Sequence, residues 1–162
     1  MRNVLFVCTA NSARSVLGEG LLRHLASDRY QSFSAGSTPR GTVNPDALEC
    51  LARHGISTEG FRSKSWDEFS GPDTPTMDLI VTVCDNAAGE ACPIWPGHPL
   101  VAHWGIADPA SEKEDDAERA ADFDLAHERM KRRIEAFLAL PDSVFDAPDA
   151  KAQLSAIGNL ND

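Results

Sequence analysis

Residues 4–15 read Val-Leu-Phe-Val-Cys-Thr-Ala-Asn-Ser-Ala-Arg-Ser, an apolar run that ends in a cysteine and continues into small residues. The run over residues 4–7 has the length and composition of a buried strand. A helical pattern begins near Val16, so the segment between them is a short loop at a helix N-terminus. Backbone N–H groups in such a loop bind oxyanions. We therefore predict an anion-binding loop made of Thr9, Ala10, Asn11, Ser12, Ala13 and Arg14.

Cys8 and Arg14 give this loop its chemistry. The planar guanidinium of Arg14 suits a tetrahedral oxyanion better than a lysine ammonium would. A helix N-terminus and a nearby cation also favour the thiolate form of Cys8. Ser15 can donate a hydrogen bond to that thiolate or cap the helix, and its position is consistent with either role. The alternative for Cys8 is a buried core cysteine, which would make its coincidence with the loop and the arginine accidental.

Short apolar strands alternate with helical patterns along the chain. We predict strands over residues 4–7, 31–34, 79–83 and 100–104, and helices over residues 16–26, 45–54, 116–140 and 148–157. This order predicts an α/β fold, a single three-layer domain with a parallel sheet of about four strands and helices on both faces. We assign residues 1–140 to this domain and residues 141–162 to a C-terminal extension that packs on it or trails from it. In such a sheet, ligands bind beyond the carboxyl ends of the strands.

The length, charge and composition of the chain exclude several classes of function. The chain has 162 residues, a length sufficient for one domain. Its formal net charge is −10, which argues against nucleic acid or an anionic membrane surface as a partner. Its apolar stretches are shorter than the roughly 18 residues of a membrane span, and the N-terminal one is too short for a secretory signal. We expect a cytoplasmic protein, in which four cysteines are typical of catalysis or redox chemistry and not of a disulfide framework.

Two further cysteines, Cys84 and Cys92, follow the third predicted strand on a segment of small and polar residues. Their separation permits a disulfide after rearrangement, and the alternative is two unrelated packing cysteines. No spacing of cysteines and histidines matches a standard zinc site, so we assign no metal. Cys50 lies in a helical pattern and is expected in the core.

Asp108 follows the fourth predicted strand and precedes Pro109. An aspartate before proline is commonly a turn former. Placed over an anion site, its carboxylic acid could instead protonate a leaving oxygen. The helical histidines, His24, His54 and His127, are expected at the surface or at helix ends.

Together, these motifs resemble those of the arsenate reductases built on the low molecular weight tyrosine phosphatase fold. The resemblance covers roughly residues 3–140. It rests on the stretch from Cys8 to Ser15, on Ser34-Ala35-Gly36, on the pair Cys84 and Cys92, and on Asp108-Pro109.

The resemblance implies a role for each of these residues. Cys8 would be the nucleophile, Arg14 the clamp, Ser15 the residue that stabilises the thiolate, and Asp108 the general acid. Cys84 and Cys92 would be resolving cysteines that pass a disulfide outward after arsenate is reduced to arsenite. An external thiol, either thioredoxin or glutathione with glutaredoxin, would then reduce that disulfide, with no tightly bound cofactor.

The resemblance also implies binding partners. Phosphate and sulfate would compete with arsenate. Independently of the resemblance, we expect a monomer. Some members of the family bind potassium near the loop, and Asn11, Glu19 and Ser34 occupy the matching positions. A fourth ligand, an aspartate, does not align cleanly with residues 63–67.

Two other functions remain open at this point. A phosphatase of the same fold would hydrolyse phosphate monoesters through a phosphocysteine and leave Cys84 and Cys92 as bystanders. However, Ala110 and Ser111 stand where such phosphatases usually carry aromatic residues. The second alternative is a non-catalytic sensor whose thiols hold arsenite.

Overall fold

Four parallel strands form the centre of the molecule, which is a computed structural model that describes residues 1–84, 95–110 and 113–160. The strands are β1 (Arg2–Cys8), β2 (Tyr30–Gly36), β3 (Leu79–Thr82) and β4 (Leu100–His103). Their order is β2-β1-β3-β4, and each neighbouring pair is parallel. The predicted four-stranded parallel sheet is confirmed. Its order reverses at β1, where a ligand crevice is expected.

Four helices flank this sheet within the described residues: α1 (Arg14–Ala26), α2 (Pro45–Arg53), α3 (Asp116–Leu138) and α4 (Ala150–Ile157). Asn44 and Asp115 cap α2 and α3 by accepting hydrogen bonds from backbone N–H groups of the first turn, as short polar side chains do at N-caps. α1 packs on β1 and β2, and α3 packs against α1 and α2.

Several element ends differ from the predictions by one or two residues. β3 ends at Thr82 and β4 at His103, each one residue early. α3 ends at Leu138, ahead of Pro141, because the residue before a proline is disfavoured in helical geometry and the chain turns beforehand. α4 begins at Ala150, two residues later than predicted, with Asp149 at its N-cap, and a 3₁₀ turn over Asp142–Asp146 precedes it.

The core is built on β1 and β3, which are buried on both faces. Every residue of Leu79–Thr82 is buried, as are the last five of Arg2–Cys8, the pattern expected of a parallel sheet. The C-terminal helix α4 packs on β4, where the indole N–H of Trp104 donates to the Leu154 carbonyl at 2.9 Å. Among the described residues, no helix combines the length and apolar character needed to cross a membrane.

Candidate active site

The loop that follows β1 turns its carbonyl groups away from the cavity it encloses. The carbonyl oxygens of Thr9, Ala10 and Ser12 each accept a backbone hydrogen bond at 2.9 Å. Their donors are the N–H groups of Thr38, Arg40 and Asn44, respectively. In a trans peptide, the carbonyl and the following N–H point in opposite directions, and the described residues contain no cis peptide bond. The loop amides therefore face inward, as an oxyanion site requires.

A cavity of about 260 Å³ opens above this loop. Its lining includes most of the residues predicted for the anion loop, together with the predicted nucleophile and acid. The lining residues are Cys8, Thr9, Ala10, Ser12, Ala13, Arg14, Arg40, Asp108 and Ala110. Arg40 was not predicted, because it lies on a separate loop without a motif of its own. It adds a second arginine to the lining.

Cys8 is 3 % exposed at the base of the cavity and lies at the end of a chain of hydrogen bonds. Its Sγ atom is 3.0 Å from Ser15 Oγ. The side-chain amide of Asn11 donates to the same hydroxyl oxygen at 2.8 Å, which leaves the Ser15 proton free to point at the sulfur. α1 begins at Arg14 with Ala13 at its N-cap, so Ser15 lies within the first turn and does not occupy the capping position.

Asn11 is itself fixed from the far side of the loop. The Lys64 N–H donates to Asn11 Oδ1 at 2.9 Å, which orients the amide so that its nitrogen faces Ser15. Asn11 is fully buried and has a φ of 46°, in the left-handed region that non-glycine residues rarely adopt. The hydrogen bonds at both ends of its side chain hold this conformation.

Arg14 and Asp108 meet at the rim of the cavity. Arg14 is the first residue of α1, and its guanidinium donates to the Ile106 carbonyl at 3.0 Å. One of its nitrogens is 3.8 Å from Asp108 Oδ2. The other carboxylate oxygen of Asp108 accepts the Ala110 N–H at 3.0 Å, so Asp108 forms a turn and also faces the anion site. Asp108 therefore lies in a turn, and its role as a proton donor stays a prediction.

Cys84 lies beside the loop, two residues after β3. It is buried, and its Sγ is 3.6 Å from the Thr9 hydroxyl. The Val83 N–H donates to the Val7 carbonyl at 2.9 Å, which extends the pairing of β1 and β3 towards both cysteines. Cys8, Cys50 and Cys84 are free thiols. The predicted partner Cys92, like Ser111, lies outside the described residues.

A buried polar pocket lies behind the loop, formed by Asn11, Glu19, Ser34 and Lys64. Ser34 donates to Glu19 Oε1 at 2.5 Å. Burial raises the pKa of Glu19, and the Ser34 hydrogen bond and the Lys64 charge partly oppose that rise. The Lys64 ammonium is 4.0 Å from Glu19 Oε1. The structure thus gathers the three residues considered for potassium, but it adds a lysine that the sequence reasoning did not assign.

A second cluster, remote from the cavity, ties α2 to α3. Asp124 Oδ1 lies 2.7 Å from an Arg53 nitrogen, 3.1 Å from His54 Nε2 and 3.6 Å from Cys50 Sγ. Burial raises the pKa of Cys50 to about 12, so this thiol stays protonated and is not a nucleophile. The prediction that Cys50 belongs to the core is confirmed.

The position of His127 differs from the predicted one. It is 4 % exposed and stacks on His54 with ring centroids 3.8 Å apart, whereas a surface or capping position was expected. Burial, followed by the nearby His54 charge, lowers its pKa to about 4. Its ring nitrogens have no hydrogen-bond partner among the described residues. It is therefore a neutral core histidine.

Comparisons with known proteins agree with this geometry. Residues 3–144 match the family model of the low molecular weight phosphotyrosine protein phosphatases. An arsenate reductase of Bacillus licheniformis is 32% identical over 84% of this chain and 94% of its own length. Another, from Shouchella clausii, is 34% identical over 83% of this chain and 93% of its own. The crystal structure of an arsenate reductase from Archaeoglobus fulgidus superposes with a TM-score of 0.60 at 32% identity, covering 82% of this chain and 98% of that one.

Proposed function

Since the chain belongs to the low molecular weight phosphotyrosine protein phosphatase family and, within it, to the arsenate reductases, we propose that it reduces arsenate to arsenite. The observation that carries the proposal is Cys84, a free buried thiol whose Sγ lies 3.6 Å from the Thr9 hydroxyl of the anion loop. A phosphatase that works through a phosphocysteine needs one thiol. A reductase needs two, because two electrons must reach arsenic.

The first step forms a bond between sulfur and arsenic. Arsenate binds to the inward amides of the loop and to Arg14, and the Cys8 thiolate attacks arsenic. Asp108, at the rim beside Arg14, gives its proton to the departing oxygen, which leaves as water. Ser15 donates its hydrogen bond to the Cys8 sulfur before the attack.

The second step is the reduction. The Cys84 thiolate attacks Cys8 Sγ, so that a disulfide forms while the bond between sulfur and arsenic breaks. The electron pair of that bond goes to arsenic, which passes from As(V) to As(III) and leaves as arsenite. The two thiols have together lost the two electrons that arsenic gained.

The third step restores the nucleophile. We assign Cys92 as the thiol that attacks Cys84, releases Cys8 and leaves a disulfide between Cys84 and Cys92. A thioredoxin-like dithiol protein would reduce this disulfide, with glutathione and glutaredoxin as the alternative donor. Such a relay needs a compartment that keeps thiols reduced, which favours the cytoplasm. We further propose that the enzyme acts as a monomer.

The test uses three serine variants and one equivalent of arsenate. Cys84→Ser should bind arsenate but release no arsenite, because no thiol can attack Cys8. Cys92→Ser should complete one turnover and stall with Cys8 bonded to Cys84, which non-reducing peptide mass spectrometry identifies. The matched control is Cys50→Ser, a cysteine outside the site whose thiol hydrogen bond to the Phe123 carbonyl a serine hydroxyl can retain. It should behave as wild type.

The same experiment distinguishes the proposed reductase from the rival phosphatase. The phosphatase needs Cys8, Arg14 and Asp108, which all line the cavity, and neither of the other two thiols. If Cys84→Ser and Cys92→Ser both match wild type in arsenite release, the thiol relay is refuted. Full hydrolysis of an aryl phosphate by all three variants would then identify a phosphatase.

A further inference from the structure

The polar pocket behind the anion loop places two opposite charges out of water. The side chain of Lys64 is 9 % exposed and that of Glu19 is 11 % exposed. Lys64 Nζ also donates to the Arg62 carbonyl at 3.1 Å, and Glu19 accepts the Ser34 hydroxyl. A buried carboxylate without a cation is strongly destabilising. This pocket therefore needs a positive charge close to Glu19.

The residues present do not fit a bound potassium ion. A potassium ion there would need oxygen ligands around a vacant position next to Glu19. The Lys64 ammonium lies 4.0 Å from Glu19 Oε1 and would repel such an ion. Asn11 Oδ1, which the resemblance assigns to potassium, accepts the Lys64 N–H instead.

We propose that the Lys64 ammonium is a built-in cation that replaces potassium in this pocket and makes the anion loop independent of added monovalent cations. The ammonium also anchors the backbone at residue 64, because it is held by Glu19 and by the Arg62 carbonyl. The Lys64 backbone holds Asn11, Asn11 holds Ser15, and Ser15 lies 3.0 Å from Cys8 Sγ. Lys64 is thus a positioning residue, because it touches neither the sulfur nor the cavity and acts through Asn11.

Burial acts on both charges of this pocket. It lowers the pKa of Lys64, and the attraction of Glu19 opposes that change. Each of the two groups therefore stabilises the charged form of the other. Removal of the ammonium would leave Glu19 to take up a proton or to attract a cation from solution.

The test compares thermal unfolding of wild type, Lys64→Met and Lys64→Arg while potassium replaces choline at constant ionic strength. The wild-type midpoint should not change with potassium. Lys64→Met keeps the length of the side chain but loses the charge, so its midpoint in choline should fall by at least about 5 °C. Potassium should restore most of that loss in a saturable way. Lys64→Arg keeps a cation and should remain insensitive to potassium.

The matched control is Lys113→Met. Lys113 also pairs with one carboxylate, at 2.9 Å from Asp122, but on the surface. Its loss should change the midpoint by less than about 2 °C, with no response to potassium. A saturable stabilisation of the wild type by potassium would overturn the proposal, even if Lys64→Met failed to fold. A Lys64→Met variant that equals wild type in choline would overturn it as well.

Unfolding does not depend on the substrate, so this test remains valid if the proposed reductase activity fails. Where that activity is present, the potassium series is repeated on kcat/KM for arsenate. Lys64→Met should lose at least tenfold in choline and recover in potassium. A residue with a merely structural role would lose activity without this recovery.

Discussion

Gly36→Ala tests whether the anion loop must be held in position to work. Gly36 ends β2 opposite Cys8. A Cβ atom at this position would lie 2.5 Å from the Thr9 carbonyl oxygen and 2.9 Å from the Asn11 nitrogen. Ordinary contacts of this kind are longer than 3.0 Å, and those below 3.4 Å are already tight. The loop would therefore have to retreat by roughly 0.5–1 Å, with no flexible side chain available to yield instead.

The size of the effect follows from this displacement. A misplacement of about 1 Å in a catalytic constellation costs on the order of 10²-fold in rate. We expect kcat/KM for arsenate to fall about 100-fold. Overpacking by one methyl group costs about 1–3 kcal/mol, so the unfolding midpoint should fall by roughly 2–12 °C in a chain of this size. Activity should therefore be lost at temperatures where the variant is still folded.

The assay is steady-state arsenate reduction coupled to a thioredoxin system, with thermal unfolding measured on the same preparation. Gly71→Ala is the matched control, since its added Cβ would meet only the Thr74 methyl group, at 3.7 Å. It should keep wild-type kinetics. Near-normal kcat/KM in Gly36→Ala would refute the reasoning, because the loop amides would then tolerate displacement.

Three further predictions concern single side chains. Asp108→Ala should slow formation of the Cys8 adduct by about 100-fold or more in single-turnover measurements while changing arsenate binding less; an unchanged rate would leave Asp108 as a turn residue only. Arg14→Lys keeps the charge but loses the planar fork and the bond to Ile106, so kcat/KM should fall at least tenfold, and near-normal kinetics would mean that the loop amides suffice. The third concerns His127, whose pKa falls on folding from 6.5 to about 4, so the unfolded chain binds the proton first as the pH drops. Stability is full above pH 6.5 and should be about 2 kcal/mol lower at pH 5; urea unfolding should show this loss in wild type and not in His127→Phe.

The sequence was sufficient for those features that neighbouring residues encode. An apolar run followed by small residues and an arginine predicts a strand, a loop and a helix, and β1 and α1 have that arrangement. Asp108 could be placed at the cavity because it follows a recognisable strand. Each of these inferences depends on a short segment and on the rule that the carboxyl ends of parallel strands share an edge.

Lys64 and Arg40 could not be predicted in this way. A parallel bridge between Gly36 and Ser65 brings Lys64 to Asn11. No pattern in the sequence around either residue indicates that contact. His127 is different, because a signal was present. It lies four residues after Phe123 and seven before Ile134, on the stripe that a helix buries, and its polar side chain led to the wrong expectation.

The length of β3 matters for the proposed relay. The register pairs Val7 with Thr82, so Cys8 stands beside Val83 and Cys84 is its diagonal neighbour. A strand separation of about 4.8 Å and a rise of about 3.3 Å per residue put the two Cα atoms roughly 6 Å apart, within the range for a disulfide. In a continued strand, however, alternation would turn Cys84 to the face opposite Cys8. The neighbour of Cys84 is Thr9, which the same register places opposite it and whose hydroxyl lies 3.6 Å from Cys84 Sγ. The proposed attack of Cys84 on Cys8 therefore requires Cys84 to turn about its backbone, and the end of β3 at Thr82 leaves Cys84 outside the strand, where such a turn breaks no strand.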